Sequence, residues 1–321
     1  MHRARCRQAG LTLVELMVAI TISLILIAGV SQIYLSTKQS FRMNDSASRM
    51  QENGRFAIEF LARDLRMADF WGCVQQVTQN DVIGGGGINI GLGGLSGTDG
   101  TGLNGSDTIR IQGAYGSGIT VTPPYMPTPS SALHITPGNG LNQGDIAIVS
   151  DCKDGDIFQI TNANPNTSGQ ANHNPGGSVS PGNQTGDLSK SYGSDGEARL
   201  YRVRSLQYYL QNNANGEPAL IRDDGTTQLE LVDGVEDMQI WYGEDTTGDG
   251  TADRYLTAAS AGVLDFERVV SVRVHLLLRS YADNIVDSPQ TYTYDGNSVT
   301  AGDRRLRQAY TTTVTIRSRA P

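Results

Sequence analysis

Aromatic side chains make up only 7% of this 321-residue sequence, and charged ones only 18%. Histidine is scarce. Its four copies, His2, His134, His173 and His275, never stand in His-x-x-x-His spacing, so no zinc-type motif is present. No Gly-x-Ser-x-Gly segment occurs, which removes the nucleophile elbow of the hydrolases. Cys73 has no histidine near it in sequence, and acid pairs such as Asp223 and Asp224 read as turn residues. Basic residues are also few: 25 Lys and Arg face 33 Asp and Glu, a net charge of −8. A chain without a basic excess offers phosphate no electrostatic footprint, so direct nucleic-acid binding is not expected. These absences argue against an enzyme and leave a structural or binding role.

One long apolar run is present. Leu11 to Leu35 carries a single charge, Glu15, and a ten-residue leader with Arg3, Arg5 and Arg7 precedes it. In a secretory signal the small residue of the cleavage site follows the apolar segment, which is then discarded. Here the small residue, Gly10, comes first, so cleavage would leave the apolar segment on the mature chain. As a helix, 25 residues span about 37 Å at about 1.5 Å each, enough for a hydrocarbon core of about 30 Å. Arginines ahead of it would hold the N-terminus in the cytoplasm. Glu15 is costly in lipid, at about 2.5 kcal/mol or more, and therefore calls for a partner. Removal of the leader would take the net charge from −8 to −11.

The helical pattern continues beyond the membrane. Residues 36–69 hold no proline and one glycine, Gly54. Met50, Ala57, Leu61, Leu65 and Ala68 recur mostly at three- to four-residue steps, the core face of a helix. The pattern predicts one helix from Leu11 to about Asp69. Phe70, Trp71, Gly72 and Cys73 then close it.

The rest, 70–321, reads as a loop-rich β head. Residues 84–105 contain 11 glycines and no Lys or Arg, so they form no phosphate cradle and read as a loop or disordered excursion. The segments 106–112, 145–150 and 156–161 read as strands. Five prolines make 122–137 irregular, and 162–198 reads as another long loop. Strands 200–211 and 218–222 flank Asn-Ala-Asn-Gly at 213–216, a hairpin signature. A short helical turn or bend is expected at 232–237, then a strand, and further strands at 268–280 and 310–317. The fold class is α+β: a long N-terminal helix packed on an antiparallel sheet.

Leader charge, Gly10, a Glu five residues on and a charge-free run together resemble the N-terminus of type IV pilins and pseudopilins. Three head segments extend the resemblance to PilW-type minor pilins: Leu231 to Tyr242, Val270 to Ser280, and Thr312 to Arg319. They resemble the J-type pseudopilin of type II secretion more loosely. Ser318 stands where the terminal motif of the family has Asn. The resemblance covers both ends of the chain and little of 80–200. It implies cleavage after Gly10 by a prepilin peptidase and methylation of the new terminus at Leu11. It also implies that Glu15 pairs with the terminal amine of a neighbouring subunit. The expected division is then leader 1–10, inner-membrane half 11–35, periplasmic helical half 36–69 and head 70–321. The expected partners are other minor pilins, the major pilin and a tip adhesin. The expected role is to initiate or cap a fibre; the alternatives are a secretion pseudopilin or a calcium-dependent adhesive tip.

Two head sites follow. Cys6 would leave with the leader, and an exported head would join the remaining Cys73 and Cys152 in a disulfide. Asp245, Thr247, Asp249 and Asp253, with Gly250 and the Thr251 carbonyl, have the spacing of a calcium loop. The loop departs from an EF-hand at Thr247 and at Leu256, where a bidentate Glu is usual. For calcium, Asp265 or Glu267 would have to supply the missing carboxylate; the alternative is an acidic, glycine-rich hairpin turn after the Trp241 strand.

Overall fold

The computed structural model describes residues 12–74, 76–88, 94–176, 179–260 and 263–319. The leader, with Gly10, and Leu11 lie outside the described residues. Helix α1 (Leu13–Leu65) dominates the N-terminus: 53 residues, about 80 Å at about 1.5 Å per residue. Thr12 caps it. Its hydroxyl accepts from the Glu15 N–H while the Glu15 carboxylate accepts from the Thr12 N–H, a reciprocal capping box. From Leu13 to Leu35 every side chain is exposed. Beyond that the buried face is Met50, Gly54, Ala57, Leu61, Ala62 and Leu65, matching the predicted stripe. Leu61 and Leu65 are wholly buried, worth about 1.5–3 kcal/mol each.

The helix ends at Leu65, four residues short of the sequence expectation. Arg66 to Ala68 form a final turn, and Asp69 takes φ 58° while its N–H leaves the helix for the Gln112 carbonyl at 2.9 Å. Asp is among the few residues that tolerate that left-handed conformation.

Two sheets form the head. The first runs, in spatial order, β1 (Gln79–Asn80), β6 (Gly155–Gln159), β5 (Ile146–Ser150), β8 (Arg199–Asn212), β3 (Thr108–Thr120) and β2 (Leu95–Thr98). The hairpin β9 (Pro218–Asp223) and β10 (Gln228–Asp233) joins it through β8. The second runs β12 (Arg254–Leu256), β11 (Val235–Glu244), β13 (Val269–Arg279) and β16 (Arg307–Thr315), all antiparallel. A small hairpin, β14 (Thr291–Tyr294) with β15 (Asn297–Thr300), lies beside it, and β4 (Leu133–His134) pairs with β7 (Gln170–Ala171). Helix α1 shares one core with both sheets: Leu61 and Leu65 cluster with Ile109 and Tyr208 of the first and Ile240, Val274 and Leu276 of the second.

Three sequence expectations are refined. The turn or bend expected at 232–237 is a bend and no helical turn: the chain changes sheet there, since β10 ends at Asp233 and β11 starts at Val235. Gly234 makes the corner with φ 75°, and a Cβ there would meet the Arg279 carbonyl at 2.8 Å. The described part of 162–198 is no open loop, because Ala171, Leu188 and Tyr192 fill a second core with Val149 and Phe158. Polar side chains finish that core: Gln159 N–H and Asn183 Oδ1 lie 2.7 Å apart, and His173 sits between the carbonyl oxygens of Ser131 and Gly186. Finally, the glycine-rich stretch contains β2, paired along its length to β3; residues 89–93 lie outside the described residues.

Candidate assembly surface on the N-terminal helix

The exposed half of α1 is the feature without an internal explanation. An apolar face 23 residues long, Leu13 to Leu35, is exposed throughout. Length and composition suit it to cross a membrane. Thr12 and Glu15 stand at its N-terminal end. The Glu15 carboxylate lies 3.4 Å from the Thr12 hydroxyl and 3.5 Å from its N–H, long contacts that leave it room for a stronger cationic partner. Thr12-x-x-Glu15 carries the sequence signature of a capping box, a signal that the apolar pattern alone does not use.

The head half of α1 is fixed by polar locks that helical periodicity alone does not reveal. Asp64 accepts the Tyr208 hydroxyl at 2.5 Å and Arg222 Nε at 2.9 Å. Burial, reinforced by Asp64, pushes the Tyr208 hydroxyl above its ordinary range. Burial opposes the Arg222 charge, but the Asp64 contact outweighs it and raises its pKa. The Asn53 amide donates to Asp233 Oδ1 at 2.8 Å. Gly54 admits Tyr310, whose hydroxyl donates to the Met50 carbonyl at 3.0 Å; a Cβ on Gly54 would lie 2.5 Å from the Tyr310 ring.

At the helix end, Asp69 gathers three parts of the chain. One oxygen accepts the Trp71 indole N–H at 2.7 Å, the other Arg319 Nε at 2.8 Å. Arg319 also donates to the carbonyls of Phe266 and Val269, both at 2.6 Å. Ser318, at the departure from the family motif, donates its hydroxyl to the Ala68 carbonyl at 2.8 Å. The terminal motif therefore acts as a clasp on the helix.

Cys73 and Cys152 form a disulfide with Cα atoms 4.6 Å apart. It joins the segment after α1 to the turn between β5 and β6, where Cys152 takes φ 67°.

The Asp245–Asp253 loop is arranged differently from a metal cage. Asp245 accepts the N–H groups of Thr247, Gly248 and Gly250 at 3.0, 2.5 and 2.7 Å. Asp253 accepts the Thr246 N–H and hydroxyl at 2.7 and 2.8 Å. Asp249 is engaged by Thr251, through its N–H at 2.9 Å and its hydroxyl at 2.6 Å. The Gly250 N–H leads in holding the Asp245 carboxyl below the usual range, and the Thr246 hydroxyl does so for Asp253. Among the described residues no three His, Cys, Asp or Glu side chains are grouped to hold a metal ion. As arranged, the loop is closed by its own donors.

No curated protein matches the chain. Among solved structures, a type IV-like pilin from Thermus thermophilus is similar at 12% identity, over 85% of this chain and 98% of that one, with a TM-score of 0.34. Two families match by sequence. The prokaryotic N-terminal methylation motif covers residues 5–31, the leader and the start of α1. The Type IV Pilus-assembly protein W family covers residues 207–318, from β8 to the clasp. These two family matches, one on the exposed apolar helix and one on the helix-clasping sheet, directly support a PilW-family type IV pilin.

Proposed function

We propose that this pilin is a minor subunit that helps to initiate or cap the fibre at its tip. The observation that carries the reading is the wholly exposed face from Leu13 to Leu35. So much apolar surface needs cover: lipid supplies it before assembly, and the helices of other pilins supply it afterwards. The Arg-rich leader and positive-inside rule set the head in the periplasm, where the Cys73–Cys152 bridge is stable. A prepilin peptidase would cut after Gly10, and the new ammonium at Leu11 of a neighbour would pair with Glu15. The packed lobe around Phe158 and Tyr192 adds bulk to the head, which a tip position tolerates because no subunit packs above it. The pilus-assembly family match favours this reading over a J-type pseudopilin of type II secretion.

Calcium at Asp245–Asp253 remains a proposal. It requires Asp245 and Asp253 to exchange backbone N–H groups for the ion, and an adhesive tip role that depends on calcium stands or falls with it.

Gold labelling of an epitope-tagged chain on sheared fibres tests the position. Label confined to fibre ends is the expected result; label along the shaft overturns the tip reading.

A further inference from the structure

The segment between β13 and β14 reaches down α1 to the point where the apolar run ends. Gln39 Nε2 donates to the Ile285 carbonyl at 2.7 Å and lies 3.4 Å from that of Asn284. Ile285 is 2% exposed. Its N–H and that of Val286 both bond to the Arg304 carbonyl, at 2.9 and 3.1 Å. The loop is thus a fixed part of the head. A groove lies between it and the helix, lined by Leu35, Ser36, Ser40, Met43, Val286 and Ser288.

Depth follows from helix geometry. Leu35 is the last residue of the apolar run, and Gln39 stands about 6 Å further along the axis. The headgroup layer on each face of a bilayer is about 5–8 Å deep, half the difference between the full and hydrocarbon thicknesses. When α1 spans a membrane, the loop must therefore occupy the headgroup layer. Its chemistry agrees. Lys38 and Arg42 are exposed on the helix within one turn of the groove, and Asp287 and Ser288 are exposed on the loop. A zwitterionic phospholipid carries a phosphate for the first pair and an ammonium for Asp287.

We infer that the 284–288 loop and the facing turn of α1 form a phospholipid-headgroup contact that sets the depth of the unassembled subunit in the bilayer. The inference rests on the membrane-spanning reading of α1.

The test uses the full chain in phosphatidylcholine vesicles whose acyl chains are brominated near the headgroup. Asp287→Trp and Ser288→Trp place a reporter on exposed loop positions, and the wild type, with Trp71 and Trp241, gives the background. Flotation is measured on the same samples. The expected result is a chain that floats with the vesicles and an added emission that falls by about half, since reporter and bromine share the headgroup–acyl boundary. A chain that floats while both reporters stay unquenched overturns the headgroup contact and leaves the membrane reading intact. A chain that does not float overturns both.

Discussion

Arg319 and Asp69, 250 residues apart in sequence, meet at 2.8 Å at the end of α1. Both side chains are largely buried, at 9% and 16% exposure. The C-terminal segment thereby reports on the helix: it closes only when α1 ends in the turn that presents Asp69. Loss of one partner of such a pair costs about 3–5 kcal/mol, because the other charge stays buried. Arg319→Ala is expected to fall in that range in urea unfolding of the soluble head, residues 36–321. Ser318→Ala, which loses one hydroxyl bond to Ala68, should cost only about 1 kcal/mol.

Gly54→Ala sets two effects against each other. Alanine in a helix interior gains about 1 kcal/mol over glycine. The new Cβ would sit 2.5 Å from the Tyr310 ring, and overpacking costs about 1–3 kcal/mol, with the Tyr310–Met50 bond lost besides. Net destabilisation is expected by thermal melt. Adding Tyr310→Ala to Gly54→Ala should relieve the clash, so the double variant should be more stable than the sum of the two single losses. Additive losses would contradict the contact.

The disulfide closes a sequence separation of 79 residues, worth about 4 kcal/mol in the chain-entropy model. Non-reducing peptide mapping of the exported head should recover Cys73 linked to Cys152, and the double Cys→Ser variant should melt lower. Two thiols alkylated in the native exported protein would contradict this.

Asp107 gives the head a pH dependence of definite sign. It accepts the N–H groups of Gly100 at 2.8 Å and Ile240 at 2.7 Å, yet burial pushes its carboxyl up to about 6. The native state therefore holds a proton that the unfolded state releases between about pH 4 and 6, and stability falls as pH rises through that window. Two units correspond to about 3 kcal/mol. Asp156 and Asp237, raised mainly by burial, add in the same direction. Below about pH 4 the lowered Asp245 and Asp253 act oppositely, since their stabilisation is lost as they protonate. Urea titrations between pH 4 and 7 should show the falling limb, and Asp107→Asn should flatten it. A wild-type head equally stable at pH 4.5 and 6.5 would contradict the account.

Calcium separates two arrangements of the 245–253 loop. If the proposed ion binds, melts of the soluble head shift upward at 10 mM calcium and return with chelator, and the shift vanishes in Asp249→Ala. Melts that match with and without calcium would leave only the turn closed by its own donors.

The helix was legible because lipid and core each impose a period or a composition: the charge-free run and the stripe Met50, Ala57, Leu61, Leu65 and Ala68 both appear as read. The hairpin β8–β9 and the alternating strands β13 and β16 were legible for the same reason. Three features were not. The sheet change at Gly234 depends on one positive φ within a continuous apolar pattern. The lobe around Phe158 is built from polar, glycine-rich sequence whose hydrogen bonds, such as Gln159 to Asn183, carry no periodicity. The locks Asp64–Tyr208–Arg222 and Asp69–Arg319 join residues more than a hundred positions apart, and single-sequence spacing does not report such pairs. For the calcium-like loop, spacing shows alternating oxygens but not which way those oxygens point, so it does not separate an ion site from a turn closed by its own donors.

In the proposed function, Glu15 organises the exposed half of α1 as an assembly surface. Incorporation of Glu15→Ala into fibres tests it most directly, with membrane-inserted and fibre-borne protein quantified side by side. Expected are unchanged or slightly higher membrane insertion, since a cost of about 2.5 kcal/mol is removed, and a marked loss of incorporation and of fibre number. Glu15→Ala protein present in fibres at the wild-type level, with wild-type fibre counts, would contradict it.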